Sequence, residues 1–119
     1  MAECDVLDPA ALADLLETTG RDPVFLAELI DTYLEDAAGL LGAMQRALAD
    51  TNPAEMRRAA HSLKSSSATF GARTLFGMCQ ELERRAQAGI LVDAAPLLAS
   101  IEAAHAQVAC ELRMLRANA

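Results

Sequence analysis

The chain has 119 residues, with 17 Asp plus Glu against 10 Lys plus Arg and a net charge of −7. That length fits one domain spanning 1–119, with a core large enough to need no disulfide or metal staple. The acidic balance argues against general binding to nucleic acid or anionic membranes, which both need cationic surface. No apolar run approaches the roughly 20 residues of a membrane span.

The opening MAECDVLDPA has no basic segment followed by an apolar stretch, so it does not read as a signal peptide. Cys4, Cys79 and Cys110 form no disulfide pattern and point to a reducing compartment, which places the chain in the cytoplasm. The 18 Leu and 26 Ala stand against 4 Val and 3 Ile. Leu and Ala favour helices, and strands favour β-branched and aromatic residues, so the expected class is all-α.

Asp8-Pro9 opens a first short helix, with Asp as N-cap and Pro at the first helical position. Leu12, Leu15 and Leu16 give it an apolar face, and Gly20 ends it. Asp22-Pro23 repeats the start signal. Apolar residues from Leu26 to Leu48, spaced by three and four, predict a helix of about seven turns. Asn52-Pro53-Ala54-Glu55 opens the third helix, with Glu55 in capping-box position. Gly71 closes that helix. Residues 72–88 read as the fourth through Leu75, Met78, Cys79, Leu82 and Ala86, with Gly89 ending it. Asp93 caps the fifth, whose apolar stripe runs from Leu97 to Leu115 with Pro96 in its first turn. Short connections make successive helices antiparallel neighbours. The expectation is therefore an antiparallel up-down four-helix bundle with an additional short N-terminal helix.

Most chemical signatures are missing. The sequence holds no GxxxxGK[ST] or GxGxxG, no Cys or His pair at metal-ligand spacing, and not the two Glu-x-x-His motifs of a di-iron bundle, since Glu102–His105 stands alone. No metal or cofactor is expected, and the pattern argues against an enzyme in the usual sense. One constellation stands out in the third helix. At 100° per residue, with His61 at zero, Arg57 falls at about −40°, Arg58 at about +60° and Lys64 at about −60°. Ser65 and Ala68 fall at about +40° and −20°. Met56, Ala59, Leu63 and Phe70 gather on the opposite side. His61 thus points away from the core among three cations that would favour an anion on the ring, and small residues leave room for a bulky group. Lys64 is the chain's single lysine. Read as ordinary surface, the same cations would only solubilise the helix. His105, on the flank of the last apolar stripe, reads as a partly buried structural residue. The pair Arg84-Arg85 is either a solvated face or part of the same basic patch.

The segment from Ala60 to Gly71, AHSLKSSSATFG, with Leu75, Cys79, Leu82-Glu83 and Ala86 after it, resembles the histidine-containing phosphotransfer (HPt) family. The family pattern is His-x-Leu-Lys-Gly-Ser-[Ser/Ala]-x-x-x-Gly, followed by a helix with Leu, Cys and Leu-Glu at these spacings. The resemblance implies that His61 is the phosphoacceptor, that Lys64 neutralises phosphoryl oxygens, and that Glu83 hydrogen-bonds the other ring nitrogen. Arg57, Arg58, Ser65 and Ala68 would border the approaching partner. Ser65 departs from the family, which usually carries Gly there. The implied function is a phosphocarrier without its own ATP site, relaying a phosphoryl group between receiver-domain aspartates in a two-component phosphorelay. Its partners would be response-regulator receiver domains and a hybrid sensor histidine kinase, with Mg²⁺ on the receiver and not on this chain. A stand-alone monomeric carrier is expected. The competing readings are a non-phosphorylated helical adaptor that binds a partner through an apolar face and, more weakly, a dimeric structural bundle.

Overall fold

The structure is a computed structural model that describes residues 7–117. Cys4 and the opening segment lie outside the described residues. Five helices follow in order: α1 Pro9–Thr18, α2 Pro23–Ala49, α3 Pro53–Thr69, α4 Arg73–Gln87 and α5 Ala94–Ala117. Among the described residues there is no strand.

The first three starts follow the Asx-Pro signals. Asp8 accepts from the Ala10 N–H, Asp22 from Val24 and Phe25, and Asn52 from Glu55. Each such cap contributes about 0.5–2 kcal/mol. The capping box at α3 is only half formed. Glu55 turns to Arg58, one turn on, and the Asn52 N–H bonds the Ala47 carbonyl at 2.9 Å instead. Asp93 differs from its sequence reading as a cap. It takes φ +63°, the left-handed region that Asp tolerates, because the chain must reverse direction within a few residues after Gln87. The Ala94 N–H closes that turn on the Leu91 carbonyl at 3.1 Å.

The four long helices form a closed ring of neighbours: α2 on α3, α3 on α4, α4 on α5, and α5 back on α2. Side chains give the directions. Arg116 bonds Asp31 at 2.9 Å and Gln45 bonds Glu102 at 2.8 Å, so α2 and α5 advance by equal steps in opposite senses. Tyr33 packs on Phe70 with ring centroids 5.0 Å apart, and Leu40 shares a groove with Ser62, so α2 and α3 also run oppositely. His61 meets Glu83 and Ala68 shares a groove with Phe76, which sets α3 against α4 in the same way. The interior holds Ile30, Met44, Met56, Leu63, Leu75, Cys79, Leu82, Leu98, Ile101 and Leu112, all buried. Ser67 is buried among them and donates its hydroxyl to the Leu63 carbonyl at 2.7 Å, which removes the cost of an unpaired polar group.

α1 stands outside the ring and is tied to the α3–α4 turn. Leu7 and Leu15 are buried, and the Asp8 N–H donates to the Gly71 carbonyl at 2.8 Å. Gly71 has φ +70°, and a Cβ there would lie 2.7 Å from the Cβ atoms of both Asp8 and Ala11. The residue that ends α3 therefore also lets α1 dock.

Candidate functional site

α3 turns Met56, Ala59, Ala60 and Leu63 into the core, and this leaves His61 outward with its side chain 56% exposed. Across the helix interface, α4 buries Leu75, Cys79, Leu82 and Ala86. Glu83, next to Leu82, then falls at the edge of the α3–α4 seam, only 16% exposed. Its Oε2 lies 2.8 Å from His61 Nδ1, and its Oε1 lies 2.8 Å from Lys64 Nζ. One carboxylate thus bridges the histidine and the lysine.

This geometry fixes the imidazole's chemistry. The Lys64 ammonium, ahead of the His61 contact, holds the Glu83 carboxyl below its ordinary value against the opposing effect of partial burial. An ionised carboxylate can only accept, so Nδ1 carries the proton and donates. In the neutral ring Nε2 then holds the lone pair and faces solvent. The adjacent Cys79 is inert by contrast: burial pushes its thiol up to about 12.

The structure brings His61, Lys64 and Glu83 together. Ser65 and Ala68 are exposed farther along α3, as the wheel places them. Arg57 and Arg58 are exposed too, and the expected cationic rim is partly compensated. Arg58 pairs with Glu55, and Arg84 and Arg85 both pair with Glu81. Arg85 also reaches the Asp93 carbonyl, so it braces the α4–α5 turn. Lys64 is only 19% exposed, with Nζ 5.8 Å from the Phe76 ring centroid. Sequence reading missed Glu55, Glu81 and Phe76 as neighbours of this face. The acidic pairings were available from i,i+3 and i,i+4 spacing. Phe76 gave no such signal, because it lies off the Leu75–Cys79–Leu82 stripe.

His105 has a different setting. It is half-buried on α5, its ring 6.0 Å from Tyr33, and its Nδ1 has no hydrogen-bond partner among the described residues. Among the described residues no group of three or more His, Cys, Asp or Glu could hold a metal. Among the described residues no helix is long and apolar enough to cross a membrane.

The site is thus an exposed imidazole with one nitrogen anchored, on a helical frame. The Hpt domain model matches residues 28–111, and the chain belongs to that family. Among solved structures it is similar to histidine-containing phosphotransfer protein B (HptB) from Pseudomonas aeruginosa PAO1, at 33% identity, with 96% of each chain covered and a TM-score of 0.88. No curated protein gives a significant match.

Proposed function

We propose that this chain is a phosphorelay carrier in which His61 takes a phosphoryl group from one receiver aspartate and passes it to another. The observation that carries this reading is the 2.8 Å contact between Nδ1 and the half-buried Glu83. It leaves Nε2 as an oriented, accessible nucleophile.

In the step, the Nε2 lone pair attacks phosphorus of the aspartyl phosphate. The N–P bond forms as the P–O bond to the aspartate breaks, and the receiver's carboxylate leaves with that electron pair. The ring becomes cationic, and the Nδ1 proton stays hydrogen-bonded to Glu83, which stabilises that charge. Lys64 sits one turn along α3 and supplies positive charge to the phosphoryl oxygens. Such transfer passes through a loose, in-line transition state, so positioning and charge stabilisation carry most of the catalysis. Mg²⁺ would reside in the receiver's acidic pocket, and this chain would bring no cofactor or ATP site of its own. Its partners would be response-regulator receivers and a hybrid sensor histidine kinase. Arg57, Arg58, Ser65 and Ala68 would meet them.

The same reading takes residues 1–119 as one domain, an up-and-down four-helix bundle with α1 added, acting as a monomer in the cytoplasm. The opposed helix directions and the closed ring of neighbours support the bundle. The test is incubation with a phosphorylated receiver domain. Acid-labile, alkali-stable label on the wild-type chain is the expected result, and absence of label overturns the proposal. Glu83→Ala should slow transfer at least tenfold while helicity is retained. Unchanged kinetics would remove Glu83 from the mechanism.

A further inference from the structure

Consecutive serines 65–67 lie near the end of α3, and two of them turn back on the helix. Ser66 donates its hydroxyl to the Ser62 carbonyl at 3.1 Å, and Ser67 donates to the Leu63 carbonyl at 2.7 Å. Such back-bonding to the carbonyl four residues earlier satisfies a serine inside a helix. Ser65 stays outside this pattern. It is exposed, and among the described residues its hydroxyl bonds neither the His61 carbonyl nor any side chain.

The helix defines where that hydroxyl stands. Residues four apart lie on one face with Cβ atoms about 6 Å apart. Each Cα–Cβ bond leans toward the N-terminus, so Ser65 sits one turn beyond His61 and leans back toward it. The two ring nitrogens of an imidazole point in nearly opposite directions. Nδ1 is held on the α4 side by Glu83 at 2.8 Å, so Nε2 points away from α4. The wheel puts Lys64 at about −60° and Ser65 at about +40° from His61. Lys64 is on the α4 side, paired with Glu83 at 2.8 Å. The positive side turns toward α2, where Ser62 and Ser66 line a groove with Leu40. Ser65 therefore stands on the flank to which Nε2 points, and Lys64 on the other.

Resting on the phosphotransfer reading above, we propose that Ser65 is a phosphoryl-binding residue. Its hydroxyl donates a hydrogen bond to an oxygen of the phosphoryl group carried on His61 Nε2 and so stabilises the loaded state. No bond to phosphorus changes in this contact, and the hydroxyl keeps its proton. A phosphoryl oxygen is an anionic acceptor, which strengthens the bond. Glycine, the usual residue here in the pattern that this chain resembles, has no donor to offer. The loaded state holds full negative charge on the phosphoryl oxygens, whereas the loose transition state is closer to metaphosphate. The hydroxyl thus acts on the lifetime and equilibrium share of phosphohistidine more than on the rate of uptake.

The test loads the full chain with phosphoramidate, a small donor that needs no receiver, and follows decay of phosphohistidine after the donor is removed. Ser65→Ala should shorten the lifetime about three- to tenfold, as expected for one lost hydrogen bond at an exposed site. At equilibrium with one receiver domain, the ratio of phosphohistidine to receiver phosphate should fall by the same factor. Ser65→Thr keeps a hydroxyl and should recover most of the lifetime. Both variants should fold, since the site is exposed and Ala is the better helix former. A wild-type lifetime in Ser65→Ala overturns the inference. So do equally short lifetimes in Ser65→Ala and Ser65→Thr, because shape and not the hydroxyl would then matter. Failure of the phosphotransfer reading is separate: the wild-type chain then takes no label from any receiver. A wild-type chain on which neither phosphoramidate nor a receiver leaves phosphohistidine overturns both.

Discussion

His61 and His105 sit on α3 and α5 with opposite shares of partner and solvent. His61 is exposed yet anchored, its Nδ1 held by Glu83 at 2.8 Å. His105 is half-buried yet unanchored, its Nδ1 without a partner among the described residues and its ring beside Tyr33. Burial, with the Arg113 charge second, holds His105 below its ordinary value and so favours a neutral ring. What separates them is a fixed tautomer joined to open space on the other nitrogen. An electrophile has open access to His61, and less room at the half-buried His105 ring beside Tyr33.

The largest expected effect breaks this comparison outright. His61→Gln should abolish phosphoryl labelling and leave the melting temperature nearly unchanged, since an exposed substitution rarely costs more than about 0.5 kcal/mol. His105→Gln should retain labelling. Label remaining on the His61 variant would mean that the wrong histidine has been assigned.

Lys64→Ala comes next. The lysine's charge acts on the phosphoryl group and, through Glu83, on the orientation of the ring. A charge-assisted contact of about 1.5–3 kcal/mol corresponds to roughly tenfold to hundredfold in transfer rate or phosphohistidine lifetime. Because Glu83 bridges the two residues, Lys64→Ala and Glu83→Gln should be non-additive when combined. Additive losses would show that the bridge is not used. Acid should have a related effect. The Glu83 carboxyl is depressed in the folded chain, so its contribution is full above its unfolded value of 4.5 and is lost as pH falls below it.

Ser65→Gln probes the open side of the same ring. It should keep or slightly raise thermal stability, since Gln is a better helix former than Ser, and slow transfer at least tenfold by occupying the approach volume. Ser65→Gly should weaken the helix by a few tenths of a kcal/mol and preserve transfer. Paired melting curves and transfer rates from one receiver decide this. Transfer by Ser65→Gln at the wild-type rate would move the docking face elsewhere.

The contrast between helix faces was legible in the sequence, and the contacts across faces were much less so. Asp8-Pro9, Asp22-Pro23 and Asn52-Pro53 located three helix starts because cap and proline act locally. The wheel put His61 outside and Leu63 inside because helical period alone decides that. Asp93 misled because an N-cap and a left-handed turn residue favour the same side chain, and the tight α4–α5 reversal selected the second. The role of Glu83 came from family resemblance, since residues 61 and 83 meet only through the packing of two helices. Its second bond, to Lys64, was not anticipated. A wheel ranks faces of one helix and does not say which acid on another helix will answer a cation. The compensated basic rim follows from the same gap, although Glu55–Arg58 and Glu81–Arg84 needed only local spacing.

The smallest expected effect sharpens the comparison from the other histidine. The folded chain favours neutral His105, whose value is lowered from 6.5 mainly by burial. Between that lowered value and 6.5 the unfolded chain binds more protons than the folded one, so stability rises with pH across this window and is lost as pH falls through it. Glu83 acts only below 4.5, outside the window. The groups facing His105 are the Tyr33 ring from α2 and, along α5, the charge of Arg113, which adds to the unfavourable setting of an imidazolium. His105 is not fully buried and solvent screens the penalty, so the expected loss is small, roughly 1–3 °C in melting temperature between pH 7.5 and 5.5. His105→Phe keeps an aromatic ring against Tyr33 and removes the titration. It should lose correspondingly less over that interval. His61 is common to both proteins and cancels in the difference. Equal losses in the two proteins would show that His105 stays partly protonated without strain, and that the orphaned Nδ1 finds a partner in solution.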